Sequence, residues 1–338
     1  MCVIDLHNHM VTPAVIEFLE RDGAHFDTTI VERNGVRFAR IGESAIRPLH
    51  ERMTQAEPRI GDMNKLGVDV QAVSCVPFLM YPEVEAGRAK AIARVNNESL
   101  AAITRTHPER FAALASVPFQ ALEAAAEEVE HAASLGLRGV EIPPGTRELD
   151  LDDRRLSPIW ESAASLGMPV CIHPFDAAPQ GAFGRYALGN LAGNLFDTGL
   201  AAALLVLGGV LERHPALQVV LYHGGGTFPA LLARLDKGHS LFPACREKIS
   251  RPPSTFISQL SFDTVTFERE WLLHLIRRFG SERVVLGSDY PLPMGPDDPV
   301  AEVRALGLTG AEERAILGGN AAALMGLEEP LRASSVEA

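Results

Sequence analysis

The sequence predicts a (β/α)8 TIM barrel. Eight apolar runs of strand length alternate with helical stretches, the runs are apolar nearly throughout, and four of them end in side chains that bind metals. Strand–helix alternation specifies a parallel sheet covered by helices. Near-continuous apolar strands are what a sheet buried on both faces requires. Eight such units in 338 residues fit one closed barrel. A doubly wound open sheet is the rival. It ordinarily places a Gly-rich phosphate turn after its first strand, where this chain has His7-Asn8-His9.

The first run is Val3 to His9. The region from about 10 to 58 is irregular, and Asn34-Gly35 between Thr28–Val31 and Val36–Ala39 predicts a small β-hairpin insertion there. A helix over Arg59–Leu66 follows, then the strand Val70–Val76 and a long Ala/Arg/Glu-rich helix over Glu83–Thr106. Strands are expected at Phe111–Val117, Leu137–Ile142, Pro169–His173, Leu217–His223, Phe256–Phe262 and Val284–Asp289. The helices between them are Leu122–Leu135, Ser157–Leu166, Leu200–Arg213, Phe228–Lys237 and Glu268–Phe279. Residues 1–328 form one domain, and 329–338 read as a polar, flexible tail.

Bulk properties narrow the function. A net charge of -12 lacks the basic footprint of a nucleic-acid binder. The most apolar stretch, Gly199–Leu211, is too short to span a bilayer and reads as a buried helix, so no membrane role is expected. Cys2, Cys75, Cys171 and Cys245 are far apart, with no C-x-x-C. With no signal peptide read at the amino terminus, this fits a reducing cytoplasm.

Active sites of such barrels form at the carboxyl ends of strands. His7 and His9 close strand one and share a face, since side chains two apart in a strand point the same way. Alone, a His-x-His is as readily an ordinary surface strand. His173 closes strand five, His223-Gly224-Gly225-Gly226 strand six, and Ser288-Asp289-Tyr290-Pro291 strand eight. A single histidine after a strand is usually structural, and Asp289 alone could cap a turn. Jointly, His7, His9, His173 and Asp289 make a three-nitrogen, one-oxygen set suited to a mononuclear Zn²⁺, with Mn²⁺ or Fe²⁺ also accommodated. An ion held this way keeps an open position for water. His223 then stands as acid/base, because imidazole titrates near neutral pH. Glu141 closes strand four.

Asp5-Leu6-His7-Asn8-His9, Ile172-His173-Pro174, His223-Gly224-Gly225-Gly226 and Gly287-Ser288-Asp289-Tyr290-Pro291 together resemble the amidohydrolase superfamily. Within it the chain looks like the branch that contains α-amino-β-carboxymuconate-ε-semialdehyde decarboxylase, and Gly319-Asn320-Ala321-Ala322 is similar to the segment after the last barrel strand there. The resemblance covers about Val3 to Leu327 and implies the same ligand set with His223 as acid/base; because a strand-four side chain bridges two metals in some branches of the superfamily, it also implies that Glu141, if it points inward, could support a second metal. It also implies that Arg47 binds a substrate carboxylate and that Arg234 enters the site from a neighbouring subunit of a homodimer or higher homo-oligomer. Arg234, on a predicted helix, equally fits a pairing with Asp236. Two departures point to a reshaped pocket: Phe175–Phe196 is rich in Gly, Ala and Asn where the branch has bulky Trp, and Leu292 stands in an aromatic position. The expected activity is decarboxylation of a small unsaturated or aromatic carboxylic acid in aromatic-compound catabolism. The alternative is a C–C hydrolase or hydratase acting on a ring-cleavage product, and a non-enzymatic ligand-binding scaffold is a third reading.

Overall fold

The computed structural model describes residues 2–42, 45–175 and 181–327; the expected tail lies outside them. The chain opens with β1 (Ile4–Met10), enters the insertion strands β2 (Thr28–Arg33), β3 (Val36–Ile41) and β4 (Ala45–Leu49), and returns with β5 (Val70–Cys75) and β6 (Phe111–Ser116). β7 (Gly139–Ile142), β8 (Val170–Ile172), β9 (Val219–Leu221) and β10 (Leu260–Asp263) follow, then β11 (Val284–Val285) and β12 (Gly287–Tyr290). Sheet order runs β11-β10-β9-β8-β7-β6-β5-β1-β12, all parallel. β11 pairs with β10 and β12 with β1, so the two are halves of one eighth strand that steps across at Leu286. Leu286 bridges the step: its oxygen accepts from Leu6 N at 2.9 Å. The barrel is thereby closed, as a (β/α)8 fold requires.

Alternation sorts the strands' side chains. Val140, Ile142, Val170, Ile172, Val219, Leu221, Leu260 and Phe262 pack outward with the helices in the main core. Cys171, Val220, Tyr222 and Val285 face inward and pack with Ile4, Leu6, Val70 and Ala72. Ala321 and Met325 of the last helix, Asn320–Met325, join that inner cluster. β1 breaks the alternation. Its register with β5 shifts between Asp5 and Asn8, and that with β12 between His7 and Asn8. Ile4 and Leu6 therefore lie in the inner cluster while His7 and His9, of opposite parity, also face the barrel centre. A bulge re-aims side chains in this way.

The insertion holds the expected hairpin, with Asn34 and Gly35 both at positive φ in its turn. A third strand, β4, extends it, and the helix Pro13–Asp22 precedes it. Two further expectations need correction. The first half of the expected Phe256–Phe262 strand is instead the end of a 3-10 turn over Pro253–Gln259, which Pro253 opens with its preset φ, and the strand proper is Leu260–Asp263. The apolar helix runs Asn194–Leu207 after a π-turn at Gly189–Gly193 and stops at Gly209, whose φ of 71° starts a new short helix. The combined Gly189–Leu207 segment is long and apolar enough to cross a bilayer, yet Ala201, Ala202, Leu205 and Val206 are packed into the core.

Candidate metal centre and active site

Three imidazoles converge on one carboxylate oxygen. Asp289 Oδ1 lies 3.3 Å from His7 Nε2, 3.2 Å from His9 Nε2 and 3.9 Å from His173 Nε2. All four side chains are buried. What faces the other ring nitrogen decides whether these Nε2 atoms carry lone pairs. His7 Nδ1 meets Asp263 Oδ2 at 2.5 Å and His173 Nδ1 meets the Pro174 carbonyl, while His9 Nδ1 meets the Cys75 carbonyl at 3.0 Å and, at 3.1 Å, the Ser74 hydroxyl, whose own proton goes to the Asn8 carbonyl. Each partner only accepts, so each Nδ1 must donate, which fixes the tautomer that leaves Nε2 bare in a neutral ring. His7 Nε2 and His173 Nε2 have no hydrogen-bond partner, as atoms aimed at an ion would not. The set fits a divalent cation.

Electrostatics agree. Burial by itself would lower the His7 pKa, but Asp263 and Asp289 on opposite sides outweigh it and raise it to about 10, so the pocket draws positive charge to Nε2. Burial would raise the Asp289 pKa, yet the imidazoles of His173, His7 and His9 gathered around its carboxylate hold it well below the usual carboxylate range. Burial pushes His173 down to about 4.

A polar layer supports the centre from outside the barrel. Arg59 is fully buried on the helix Ala56–Leu66. Its guanidinium donates to Asn8 Oδ1 at 3.0 Å, to Gln71 Oε1 at 2.9 Å and to the His9 carbonyl, and sits 4.8 Å over the Tyr290 ring. Gln71 and Ser288 in turn donate to Asp5 Oδ2 at 3.0 and 2.5 Å. Inside the barrel the Tyr222 ring stacks on His7 at 3.8 Å, tilted by 3°. None of Arg59, Tyr222 and Asp263 was singled out from sequence as a site residue. Asp263 was within reach, for it closes β10 as His173 follows β8.

His223 follows β9 by two residues and its ring lies among those of the centre. Its ring centre is 5.1 Å from those of His7 and His173, and donor atoms of His7, His173, His223 and Asp289 lie within 4.8 Å of one another. His9 is not in that mutually close group and reaches the centre through Asp289, its Nε2 3.2 Å from Oδ1. His9 is anchored as a ligand should be, whereas His223 Nδ1 has no partner and its backbone occupies a left-handed turn at φ 54°. Glu141 points inward, but its oxygen approaches His9 at Nδ1, 4.0 Å away, on the side turned from Asp289. It does not join the cluster around Asp289, and burial pushes its pKa up to about 8.

Arg47 lies on β4 opposite Ala39 and lines a cavity of ≈ 520 Å³ with Phe78, Tyr81 and Phe175. Phe175 follows His173 by two residues in the chain, but none of His7, His9, His173, His223 and Asp289 lines this cavity. Arg234 is exposed on the helix Phe228–Leu241, away from its own chain's histidines in the sense that no contact joins them among the described residues. Asp236 is engaged by Ser254 N at 2.9 Å. Of the Gly/Ala/Asn-rich Phe175–Phe196 segment, residues 176–180 lie outside the described residues, and Phe183, Tyr186, Leu191 and Phe196 are exposed.

The amidohydrolase family model matches residues 4–327, and the chain belongs to that family. A 2-amino-3-carboxymuconate-6-semialdehyde decarboxylase of Dictyostelium discoideum is 32% identical over 275 residues, covering 80% of this chain and 76% of that protein. The 5-carboxyvanillate decarboxylase of Sphingomonas paucimobilis superposes with a TM-score of 0.83 at 25% identity, covering 97% and 100% of the two chains. A dihydroxybenzoic acid decarboxylase of Polaromonas sp. JS666, solved with bound manganese, shares the fold at a TM-score of 0.79 and 21% identity over 97% and 98%. Within the family the chain is an enzyme of the carboxy-lyase class.

Proposed function

We propose that this enzyme is a metal-dependent decarboxylase of a small unsaturated or aromatic carboxylic acid, working in aromatic-compound catabolism in the cytoplasm. One observation carries the reading. Three Nδ1 atoms each face an acceptor-only oxygen, so three Nε2 lone pairs converge beside Asp289. His7, His9, His173 and Asp289 hold one ion; Zn²⁺ is the first choice for this donor set, and Mn²⁺ or Fe²⁺ is compatible with it. When bound, the ion supplies Lewis-acid polarisation of substrate oxygens.

The remaining chemistry belongs to the chain. Converting R–COOH to R–H and CO₂ moves one proton to the carbon that loses the carboxyl group. His223 is the carrier: burial and the rings of His7 and His173 push its pKa down to about 4, so at neutral pH it is free to take a proton and return it. Arg47 orients the acid through a guanidinium–carboxylate pair. The ≈ 520 Å³ cavity that it lines suits a one-ring or short conjugated acid. Arg234 completes the site from the second subunit of a homodimer.

The test combines metal analysis of freshly purified enzyme with a panel of hydroxybenzoic acids and open-chain unsaturated dicarboxylic acids. The expected result is one divalent ion per chain and a product lighter by CO₂, abolished by chelation. A product heavier by water assigns a hydrolase or hydratase and overturns the reading.

A further inference from the structure

Asp263 touches both halves of the centre. Oδ2 meets His7 Nδ1 at 2.5 Å, while Oδ1 accepts from Gly224 N at 2.6 Å and Val265 N at 3.2 Å. The side chain is fully buried. Gly224 directly follows His223, and both residues are left-handed, at φ 61° and 54°. A residue such as His223 holds that conformation only where its surroundings impose it. The other two histidines of the centre rest Nδ1 on backbone carbonyls, and Glu141 comes no nearer to His9 Nδ1 than 4.0 Å, so among the described residues only His7 has a carboxylate in hydrogen-bond contact behind it.

We propose that Asp263 is a positioning residue that sets the metal-binding tautomer of His7 with one carboxylate oxygen and fixes the His223 turn with the other. Ligand and proton carrier are thereby placed by one rigid group, and their separation cannot drift independently. The proposal rests on the metal-centre reading above.

Asp263→Asn separates the two actions. The amide oxygen keeps the Gly224 N–H, because turning the amide over would set N–H against N–H. The amide nitrogen then faces His7 Nδ1 and donates to it. Nδ1 must give up its proton, and a neutral His7 carries it on Nε2, the nitrogen needed for the ion. Nitrogen-resolved NMR of the metal-free protein, taken at a pH where His7 is neutral, reads this directly: Nδ1 protonated in the wild type, bare in the variant. Competition with a chromophoric chelator should show Zn²⁺ affinity weakened by about 10–100-fold. The Gly224 amide should stay protected from hydrogen exchange in Asp263→Asn and exchange at least about tenfold faster in Asp263→Ala, where its acceptor is gone. Should Asp263→Ala not fold, Asp263→Ser, too short to reach Gly224, is measured in its place.

A His7 Nδ1 that stays protonated in Asp263→Asn, or Zn²⁺ affinity within about twofold of wild type, overturns the tautomer role. Unchanged Gly224 exchange in the truncated variant overturns the turn role. If the wild type binds no Zn²⁺, the metal-centre reading fails instead, and the NMR and exchange arms still judge Asp263.

Discussion

Glu141 is buried and His223 half-buried, both with unpartnered atoms among the described residues, yet their surroundings assign them different work. Among the described residues neither Glu141 oxygen has a well-formed hydrogen bond, and burial, opposed only in part by Ser74 and Tyr222, raises its pKa from 4.5 to about 8. The folded protein therefore keeps a proton that the unfolded chain releases above pH 4.5, and stability falls as pH rises from 4.5 to 8, then levels off. Glu141→Gln has nothing to release. In metal-stripped protein its melting temperature should gain on the wild type through that window, with the difference amounting to a few kcal/mol, on the order of the shift itself. A difference independent of pH would show that Glu141 is charged in the fold. His223 is tested by removal. His223→Ala should lower kcat by at least about 100-fold while leaving metal content at one ion per chain, because a proton carrier, unlike a ligand, does not hold the ion. Loss of the metal in that variant would move His223 into the ligand set and His9 out of it.

At the scale of elements, the barrel strands were legible because burial on both faces forces unbroken apolar runs, and Val170–Ile172 and Val219–Leu221 sit inside the stretches expected. The His-x-His was legible as a pair on one face. The bulge that lets Ile4, Leu6, His7 and His9 all face inward was not, since no residue type marks a shift of register between neighbouring strands. Asp263 was lost by one position: the strand was expected to end at Phe262, and its inward-facing last residue is the one that matters. Arg59 was hidden for a different reason. An arginine in a polar helix normally faces water, and only the tertiary fold turns this one onto Asn8, Gln71 and His9. It pins the backbone of β1 to the residue after Asp289. Arg59→Lys keeps the charge but replaces a planar fork with a point donor that cannot serve three oxygens at once. Each acceptor left unsatisfied costs about 1–3 kcal/mol. Urea unfolding should show a loss of that order, with weaker metal retention during dialysis. A variant as stable as wild type would mean the layer is incidental.

The whole molecule raises the question of Arg234. It is exposed on the helix Phe228–Leu241, whose end presents Leu241 and Phe242 at 55% and 60% exposure. An arginine so placed acts at a site only across an interface. In a two-fold dimer the exchange would be reciprocal, each subunit lending its Arg234 to the other. Mixing subunits tests this without knowledge of the contact surface. His223→Ala and Arg234→Ala homodimers should each be inactive. In a heterodimer of the two, the site that keeps His223 receives Arg234 from the His223→Ala subunit and is whole, while the other site lacks both. Random exchange makes half the dimers mixed, with one good site in two, so activity should recover to about a quarter of wild type. If Arg234 serves its own chain, no mixture holds an intact site and nothing is recovered. Recovery would show that half of the substrate clamp was invisible in a single chain, however well the barrel and its four donors could be read from it.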